Sequence, residues 1–110
     1  MKDVKSEALL YDFYGGLLKG RQKEIYEASV MDDMTLSEIS DEYGISRQAV
    51  SAMLNRCRKA LSGYEEELKL ISRFEDMKED VSEIRSIAQK SKDAEAKRII
   101  ELSDRILGEL

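Results

Sequence analysis

Apolar residues recur every three or four positions along most of this chain, which is the spacing of one helix face. Residues 3–18 show the pattern first, with inward positions predicted at Val4, Ala8, Tyr11, Tyr14 and Leu18. The Gly15–Gly16 pair interrupts this helix, and Gly20 marks a second break. A helix is then predicted over residues 21–31, with two inward positions at Ile25 and Ala28.

The segment from Thr35 to Leu61 contains two helix patterns separated by a single glycine. Thr35 is followed three residues later by Glu38, the arrangement of a capping box, so a helix is predicted over residues 36–43, with inward positions at Leu36, Ile39 and Tyr43. Gly44 suits the left-handed conformation that ends many helices. Ser46 can cap the next helix, which is predicted to run to about Leu61.

These two helices carry the residues that a helix-turn-helix requires. The two helices cross through a very short turn, so a small residue must lie at the crossing and a glycine in the turn. Ser40 and Gly44 occupy those two places. Apolar residues must fill the angle between the helices, and the chain supplies Ile39, Tyr43, Ile45, Val50 and Met53. The pattern therefore predicts a helix-turn-helix domain over residues 1–61.

The second helix of this motif divides into an apolar face and a polar face. The apolar face is predicted to contain Val50, Met53, Leu54, Cys57 and Leu61, and the opposite face Gln48, Ala52, Asn55 and Lys59, flanked by Ser51 and Arg56. Such an outer face is what a recognition helix presents to the DNA major groove. The predicted nucleic-acid-binding residues are Arg47, Gln48, Ser51, Asn55, Arg56, Arg58 and Lys59.

Each of these side chains has a chemical reason to face nucleic acid. Gln48 and Asn55 can pair with adenine edges, and Arg47 can pair with guanine. Arg56, Arg58 and Lys59 suit phosphates. Residues 46–61 hold four basic residues and no acidic one. The whole chain has a net charge of −5, so the rest of the chain has a net charge of −9. The open alternative is that the motif is a helical scaffold whose basic face is only solvated.

The region after Leu61 is predicted to be a helical extension, residues 62–110, for dimerisation or partner docking. After a break at Ser62–Gly63, one helix is predicted over residues 64–89, roughly 39 Å long. Its apolar stripe is Leu68, Ile71, Phe74, Met77, Val81, Ile84 and Ile87, the predicted dimer or partner interface. A final helix over residues 93–110 is expected to bury Ile99, Leu102, Ile106 and Leu110.

The long stripe leaves two interpretations open. In the favoured one, the final helix folds back along the long helix, and the resulting hairpin pairs with a second copy across a two-fold axis. Dimerisation would double the basic helices to eight cations and prepare them for two half-sites. In the other interpretation, the protein is a monomer with a three-helix bundle at its C-terminal end.

Composition narrows the chemistry. The 110 residues include no proline, histidine or tryptophan, and 37% are charged, which favours an all-α protein. The lack of histidine excludes a histidine-based triad, and a single cysteine excludes an internal disulfide or a cysteine-rich zinc site. No apolar run approaches the length of a membrane span and no signal peptide is recognised, so we expect a cytoplasmic protein. We predict no enzymatic activity, cofactor, metal, small-molecule substrate or membrane partner.

Two smaller features have alternative interpretations. Cys57 is predicted to be a buried apolar residue; if it were exposed, Arg56 and Arg58 could lower its pKa and make it a redox switch. The aromatic cluster of Tyr11, Phe13 and Tyr14 is predicted to pack in the core, with stacking on single-stranded RNA as the alternative.

The motifs resemble known families. Residues 21–61 resemble region 4 of sigma-70-type factors, and the chain as a whole resembles the YlxM family of small bacterial helix-turn-helix proteins. The matching segments are LLYDFYGGLL, GISRQAV and KALSGYEEELKL, within about residues 6–75, although Gly15-Gly16 stands where Gly-Pro is expected. The resemblance implies a DNA-binding type of protein associated with the signal recognition particle pathway.

Two functions therefore remain as hypotheses. The first is a DNA-binding regulatory protein, with DNA as the expected partner and RNA as an alternative nucleic acid. The second is a protein-interaction module that docks on the signal recognition particle protein or its RNA. The acidic remainder of the chain favours a basic protein partner, whereas a structured RNA would use the basic helix. Neutralising Glu65 to Glu67 is expected to weaken only the second activity.

Overall fold

The computed structural model describes residues 4–110, with side chains from Glu7 onward. That part of the chain forms helices and contains no strand, so the predicted all-α class is confirmed. The helices are α1 (Val4–Tyr14), α2 (Gly20–Val30), α3 (Leu36–Tyr43), α4 (Arg47–Leu68), α5 (Leu70–Gln89) and α6 (Ala94–Glu109), with a short 3₁₀ turn at Gly15–Leu17. None of the helices described combines the length and apolarity needed to span a membrane.

The chain divides into two compact units. The N-terminal unit ends at Lys69 and contains α1 to α4; the hairpin unit, Leu70–Leu110, contains α5 and α6. Sequence patterns placed the division between residues 61 and 62, eight residues earlier. The shift follows from where α4 ends, because that helix continues well past Leu61.

The predicted break at Ser62–Gly63 was wrong. α4 continues through both residues to Leu68, since a helix tolerates an interior glycine at a cost of about 1 kcal/mol. Tyr14 of α1 packs beside Tyr64, with ring centroids 6.0 Å apart, and donates a hydrogen bond of 2.5 Å to Glu65. These contacts hold the last turns of α4 against α1. The chain leaves the helix instead at Lys69, which adopts the left-handed conformation (φ 55°, ψ 32°).

The N-terminal unit has a continuous apolar core. Its fully buried side chains are Tyr14, Ile25, Tyr26, Ile39, Val50, Cys57 and Leu61, one or more from each of α1 to α4. Most predicted inward residues are buried here, although Ala8, Tyr11, Tyr43 and Met53 are only half-buried and the side chain of Val4 lies outside those described. Tyr26 and Leu10 join the core without having been predicted. Leu36, predicted to point inward, is 41% exposed. It is the first residue of α3, and helical side chains point back toward the N-terminus, so Leu36 extends past the helix end.

The predicted aromatic cluster belongs to this core. Tyr14 is buried, while Tyr11 and Phe13 are half-buried. The Tyr11 ring stacks on Tyr26 at 6.1 Å, and its hydroxyl donates a hydrogen bond to Glu27. The same ring lies so close to Gly15 that a Cβ there would come within 2.7 Å of it. The glycine at the end of α1 is thus required by close packing. The core-packing prediction is confirmed for Tyr14, whereas Tyr11 and Phe13 are only half-buried.

The hairpin unit is packed through small side chains. α6 follows the turn after Gln89, with Asp93 at its N-cap, and folds back along α5. The buried residues are Ala88, Ala96 and Ser103. Of the four residues predicted to be buried on α6, Leu102 and Leu110 are half-buried, and Ile99 and Ile106 are exposed. Two helices alone cover only part of each other's surface, so the smaller Ala96 and Ser103 are the fully buried residues of α6. Arg85 and Asp104 join the two helices in an ion pair of 2.5 Å.

Candidate nucleic-acid interface

The helix-turn-helix is held in shape by side chains at each helix end. The Glu38 N–H donates to Thr35 Oγ1 (3.1 Å) and the Thr35 N–H donates to Glu38 Oε1 (2.9 Å), which completes the predicted capping box of α3. Gly44 ends α3 at φ 65°, ψ 35°, where a side chain would be strained. Ser46 Oγ accepts from the Ala49 N–H at 3.1 Å and caps α4. The local elements predicted for this motif are therefore confirmed.

The turn between α3 and α4 is closed by Ser40. Its hydroxyl donates to the Ile45 carbonyl at 2.5 Å, which ties the crossing point of the helices to the residue after the turn. Of the residues predicted to fill the angle between the helices, Ile39 and Val50 are completely buried, and Tyr43, Ile45 and Met53 are half-buried. The angle is thus fixed by two buried aliphatic side chains and a side-chain hydrogen bond.

This packing determines which face of α4 is exposed. The buried side is formed by Val50, Leu54, Cys57 and Leu61. On the other side, Arg47, Gln48, Ala52, Asn55, Arg56 and Lys59 are exposed, and Ser51 is half-buried. We call the exposed set from Arg47 to Lys59 the outer face of α4. Gln48, Ala52, Asn55 and Lys59 follow one another at steps of four, three and four, and Arg47 and Arg56 flank them, so the set forms one continuous surface.

Arg58 is the predicted phosphate-binding residue that the structure places differently. Its Nε lies 2.5 Å from Glu7 Oε1 of α1, and the two side chains are 37% and 14% exposed. Its guanidinium also lies 3.5 Å from Asn55 Oδ1. A carboxylate already neutralises this arginine, so the exposed cations of the outer face are Arg47, Arg56 and Lys59. Sequence spacing contained no signal for this pair, because 51 residues separate its members.

Arg21 is a cation beside the motif whose role the sequence patterns did not indicate. Its guanidinium donates a hydrogen bond to the Tyr43 carbonyl at the end of α3, and its Cζ lies 5.6 Å from the centroid of the Tyr43 ring. A cation at a helix C-terminus is favourable because the carbonyl groups there carry partial negative charge. Arg21 therefore stabilises the end of α3 and adds positive charge close to the turn.

The surroundings of α4 are not uniformly basic. A surface depression beside it is lined by Glu7, Arg58, Lys59, Ser62, Gly63 and Glu66, two carboxylates against two cations. Glu38, Asp41 and Glu42 are exposed on α3. These acids repel phosphates that come near them, so favourable contact with a nucleic-acid backbone is restricted to the outer face of α4.

Cys57 lies on the opposite side of α4. It is buried, and its thiol contacts the Gln22 carbonyl of α2 at 3.4 Å. Burial raises the pKa of the Cys57 thiol, while Arg56 and Arg58 act in the lowering direction and are outweighed. The thiol is therefore kept protonated, which agrees with a packing residue and argues against the redox-switch interpretation.

The predicted dimer interface is divided between the two units. Leu68 lies in the last turn of α4, and the other six residues lie on α5. On α5, Ile71, Phe74 and Val81 are half-buried, whereas Met77, Ile84 and Ile87 are exposed. The predicted stripe is therefore interrupted at Lys69, and its six members on α5 keep their spacing of three and four residues.

Comparisons with a family model and with individual proteins point to the same family. The model of the UPF0122 family, described as "Putative helix-turn-helix protein, YlxM / p13 like", matches residues 1–101. A UPF0122 protein of Symbiobacterium thermophilum is 47% identical over 72 residues, 66% of this chain and 67% of the relative. A UPF0122 protein of Thermoanaerobacter sp. (strain X514) is 39% identical over 106 residues, covering 93% and 91% of the two chains.

A third relative is the UPF0122 protein YlxM of Bacillus subtilis (strain 168). It is 40% identical over 86 residues, 78% of each chain. The resemblance to YlxM proteins seen in the sequence motifs of about residues 6–75 is therefore confirmed. The family match extends it through α5 and into α6.

Proposed function

Because the chain belongs to the UPF0122 family of YlxM/p13-like helix-turn-helix proteins, we propose that it is a non-enzymatic regulatory protein that binds DNA through α4. The observation that carries the proposal is the exposed, basic and polar outer face of α4, opposite a side that is buried in the core. A rigid helix with this division can enter a major groove without disturbing the domain behind it.

The outer face supplies both kinds of contact that DNA recognition requires. Arg47 and Gln48 lie in the first turn of α4, the part of a recognition helix that reaches base edges. Asn55 follows on the same surface, with the half-buried Ser51 one turn before it, and the small Ala52 permits close approach. Arg56 and Lys59 lie further along α4, where they suit phosphates that flank the groove. We assign no primary phosphate contact to Arg58 while Glu7 holds it.

The number of free cations sets the expected strength of binding. Each neutralised phosphate contributes about 0.9 to the slope of log affinity against log salt concentration, so three exposed cations give a slope of about three for one copy of the protein. Strong duplex binders make roughly six to ten such contacts. We therefore expect weak, strongly salt-dependent binding by a single copy.

The test is fluorescence anisotropy at low salt, with a mixed pool of duplex DNA and, separately, a structured RNA. Wild type is compared with the double variant Arg47→Ala, Arg56→Ala. The matched control is Arg73→Ala, Lys78→Ala, which removes two exposed cations from α5 and keeps the net charge equal. Loss of DNA binding in the first variant alone supports a recognition helix, whereas equal loss in both variants indicates only nonspecific attraction. If wild type binds no DNA at low salt, the proposal is contradicted.

A second candidate function rests on the acidic surface. Residues outside 46–61 carry −9, and Glu66 and Glu67 are exposed near the end of α4. Such a surface suits a basic partner, and docking on the signal recognition particle protein is the candidate of this kind. Docking on its RNA would instead use the basic outer face of α4. Glu66→Gln, Glu67→Gln is expected to weaken docking on the purified particle protein and to leave DNA binding intact. Glu65 is kept unchanged, because it accepts the hydrogen bond of Tyr14.

A further inference from the structure

The hairpin unit exposes an apolar surface that its own two helices do not cover. Met77, Ile84 and Ile87 on α5 and Ile99 and Ile106 on α6 are each 42–63% exposed. The fully buried residues of the unit are two alanines and a serine, and its larger apolar side chains, such as Phe74, Val81 and Leu107, are only half-buried. A segment of 41 residues is close to the size below which a domain needs a disulfide, a metal or oligomerisation for stability. The cysteine of this chain lies elsewhere, in α4.

We propose that this surface binds the same surface of a second copy of the chain, so that two hairpins form an antiparallel four-helix bundle around a two-fold axis. Two-fold pairing joins one patch to its own copy, which requires a self-complementary surface. In such a bundle the exposed isoleucines become the central layer between the hairpins, the usual place for apolar residues of packed helices. The proposal does not depend on whether α4 binds nucleic acid.

The shape of the surface supports close packing. Ile84, Ile87 and Ile99 line a depression next to the turn of the hairpin, together with the buried Ala88 and Ala96. Ser91, Asp93 and Glu95 complete its lining. The small side chains of the alanines allow a neighbouring helix to approach, and the flanking isoleucines can then enclose an apolar side chain from the partner. Contiguous exposed patches of this kind mark interaction sites on proteins.

Charge identifies a second copy as the occupant. The turn end of the hairpin, residues 81–100, has five basic and three acidic residues, a net charge of +2. The open end, residues 70–80 and 101–110, has three basic and seven acidic residues, a net charge of −4. Antiparallel pairing places the positive end of each copy beside the negative end of the other. Parallel pairing would place like charges together, so the charge pattern favours the two-fold antiparallel arrangement.

The experiment is sedimentation equilibrium of the full chain over a range of concentrations at low salt. The disrupting variant is Ile84→Lys, Ile99→Lys. Its matched control is Leu17→Lys, Met31→Lys, which adds the same charge at positions of similar exposure in the N-terminal unit. We expect wild type and the control to be dimeric and the disrupting variant to dissociate at least tenfold more readily. Far-UV circular dichroism of each protein establishes that its helices are retained.

A second pair of variants tests the arrangement without altering an apolar residue. The variant Lys90→Glu, Lys92→Glu reverses the net charge of the turn end. The variant Glu79→Lys, Asp80→Lys brings the net charge of the open end to zero. Each variant alone is expected to dimerise more weakly than wild type, and an equimolar mixture is expected to contain more dimer than either alone. Added salt should weaken the wild-type dimer.

Three results would overturn the proposal. The first is a monomeric wild type at about 100 μM, well above a micromolar dissociation constant; the apolar surface would then belong to a different protein partner. The second is dimerisation that the Ile84, Ile99 variant retains, which would place the interface elsewhere. The third is a mixture of the two charge variants with no more dimer than its components, which would exclude antiparallel pairing.

Discussion

The N-terminal unit and the hairpin unit show similar helical patterns but use their apolar residues differently. In the N-terminal unit, four helices converge, and isoleucine, valine, leucine and tyrosine side chains from them are buried completely. In the hairpin unit, two helices cover only one side of each other, so the buried positions are Ala88, Ala96 and Ser103 and several isoleucines remain exposed. Periodicity alone therefore indicates which residues share a face, whereas burial depends on how many elements meet there.

The difference also separates stability from association. A side chain buried within one unit contributes to folding of that unit at any protein concentration. An exposed apolar side chain contributes only when another surface covers it, so its effect depends on concentration. All five tyrosines lie in the N-terminal unit, at positions 11, 14, 26, 43 and 64. Tyrosine fluorescence therefore reports unfolding of that unit, and far-UV circular dichroism reports the helices of both.

The largest expected effect comes from the same substitution made once in each unit. Ile39→Ala removes a completely buried side chain between α3 and α4 and should lower the free energy of unfolding by about 2–5 kcal/mol. Ile84→Ala changes a half-exposed residue and should cost less than about 0.5 kcal/mol in dilute solution. Urea unfolding followed by tyrosine fluorescence and circular dichroism measures both. If the two variants lost equal amounts of unfolding free energy, the proposed difference between the units would be contradicted.

A smaller effect of opposite sign is expected inside the N-terminal unit. The Tyr26 hydroxyl is buried and has no hydrogen-bond partner among the described residues, which disfavours the folded state. Tyr26→Phe should therefore raise the free energy of unfolding by about 1 kcal/mol. Tyr14→Phe is the matched control and should lower it by about 1 kcal/mol, because the Tyr14 hydroxyl donates to Glu65. Thermal unfolding of the two variants distinguishes these signs, and a Tyr26→Phe loss would contradict the prediction.

The same tyrosine predicts a sensitivity to alkaline pH. Burial raises the pKa of Tyr26 to about 12, and the hydrogen bond to Glu27 raises the pKa of Tyr11 to about 12. A raised pKa in the folded state means that the stability present below pH 10 is lost between about pH 10 and pH 12. Urea unfolding at a series of alkaline pH values should show this loss, and Tyr26→Phe should reduce it. An identical decline in the variant would assign the loss to other groups.

An intermediate effect concerns the surface of α4. Glu7→Gln removes the charge that holds Arg58 and should cost about 0.5 kcal/mol of stability, as for a partly exposed ion pair. It should also release a fourth cation beside the outer face, so that the salt slope of DNA binding rises by about one. Glu24→Gln, at an exposed position of α2, provides the same change in net charge. A slope that rises equally in both variants would contradict a specific release of Arg58.

Much of the helix-turn-helix could be predicted because its determinants are local. Thr35 and Glu38 cap one helix, Gly44 ends it and Ser46 begins the next, all within a few residues in sequence. The outer face of α4 follows from those caps and from the period of the helix. Arg58 could not be placed in the same way, because its partner Glu7 lies on another helix and only tertiary packing brings them together.

The end of α4 was mispredicted for a related reason. Gly63 carries a helix-breaking preference, but contacts of Tyr14 with Tyr64 and Glu65 maintain the helix through that position. The actual break falls at Lys69, a residue with no intrinsic preference for the left-handed conformation. Local preference was therefore overridden twice within seven residues: Gly63 stays helical and Lys69 leaves the helix.

A further small effect is expected at that lysine, where the N-terminal unit ends and α5 begins one residue later. Lys69 has φ 55°, a conformation in which a Cβ crowds the backbone and which glycine adopts without strain. Lys69→Gly should raise the free energy of unfolding by about 0.5 kcal/mol, since relief of strain exceeds the added freedom of the unfolded chain. Lys69→Ala removes the same charge but keeps a Cβ, so it should produce no such gain. If glycine and alanine have equal effects in urea unfolding, the change reflects loss of the lysine side chain, and the junction between α4 and α5 is not under backbone strain.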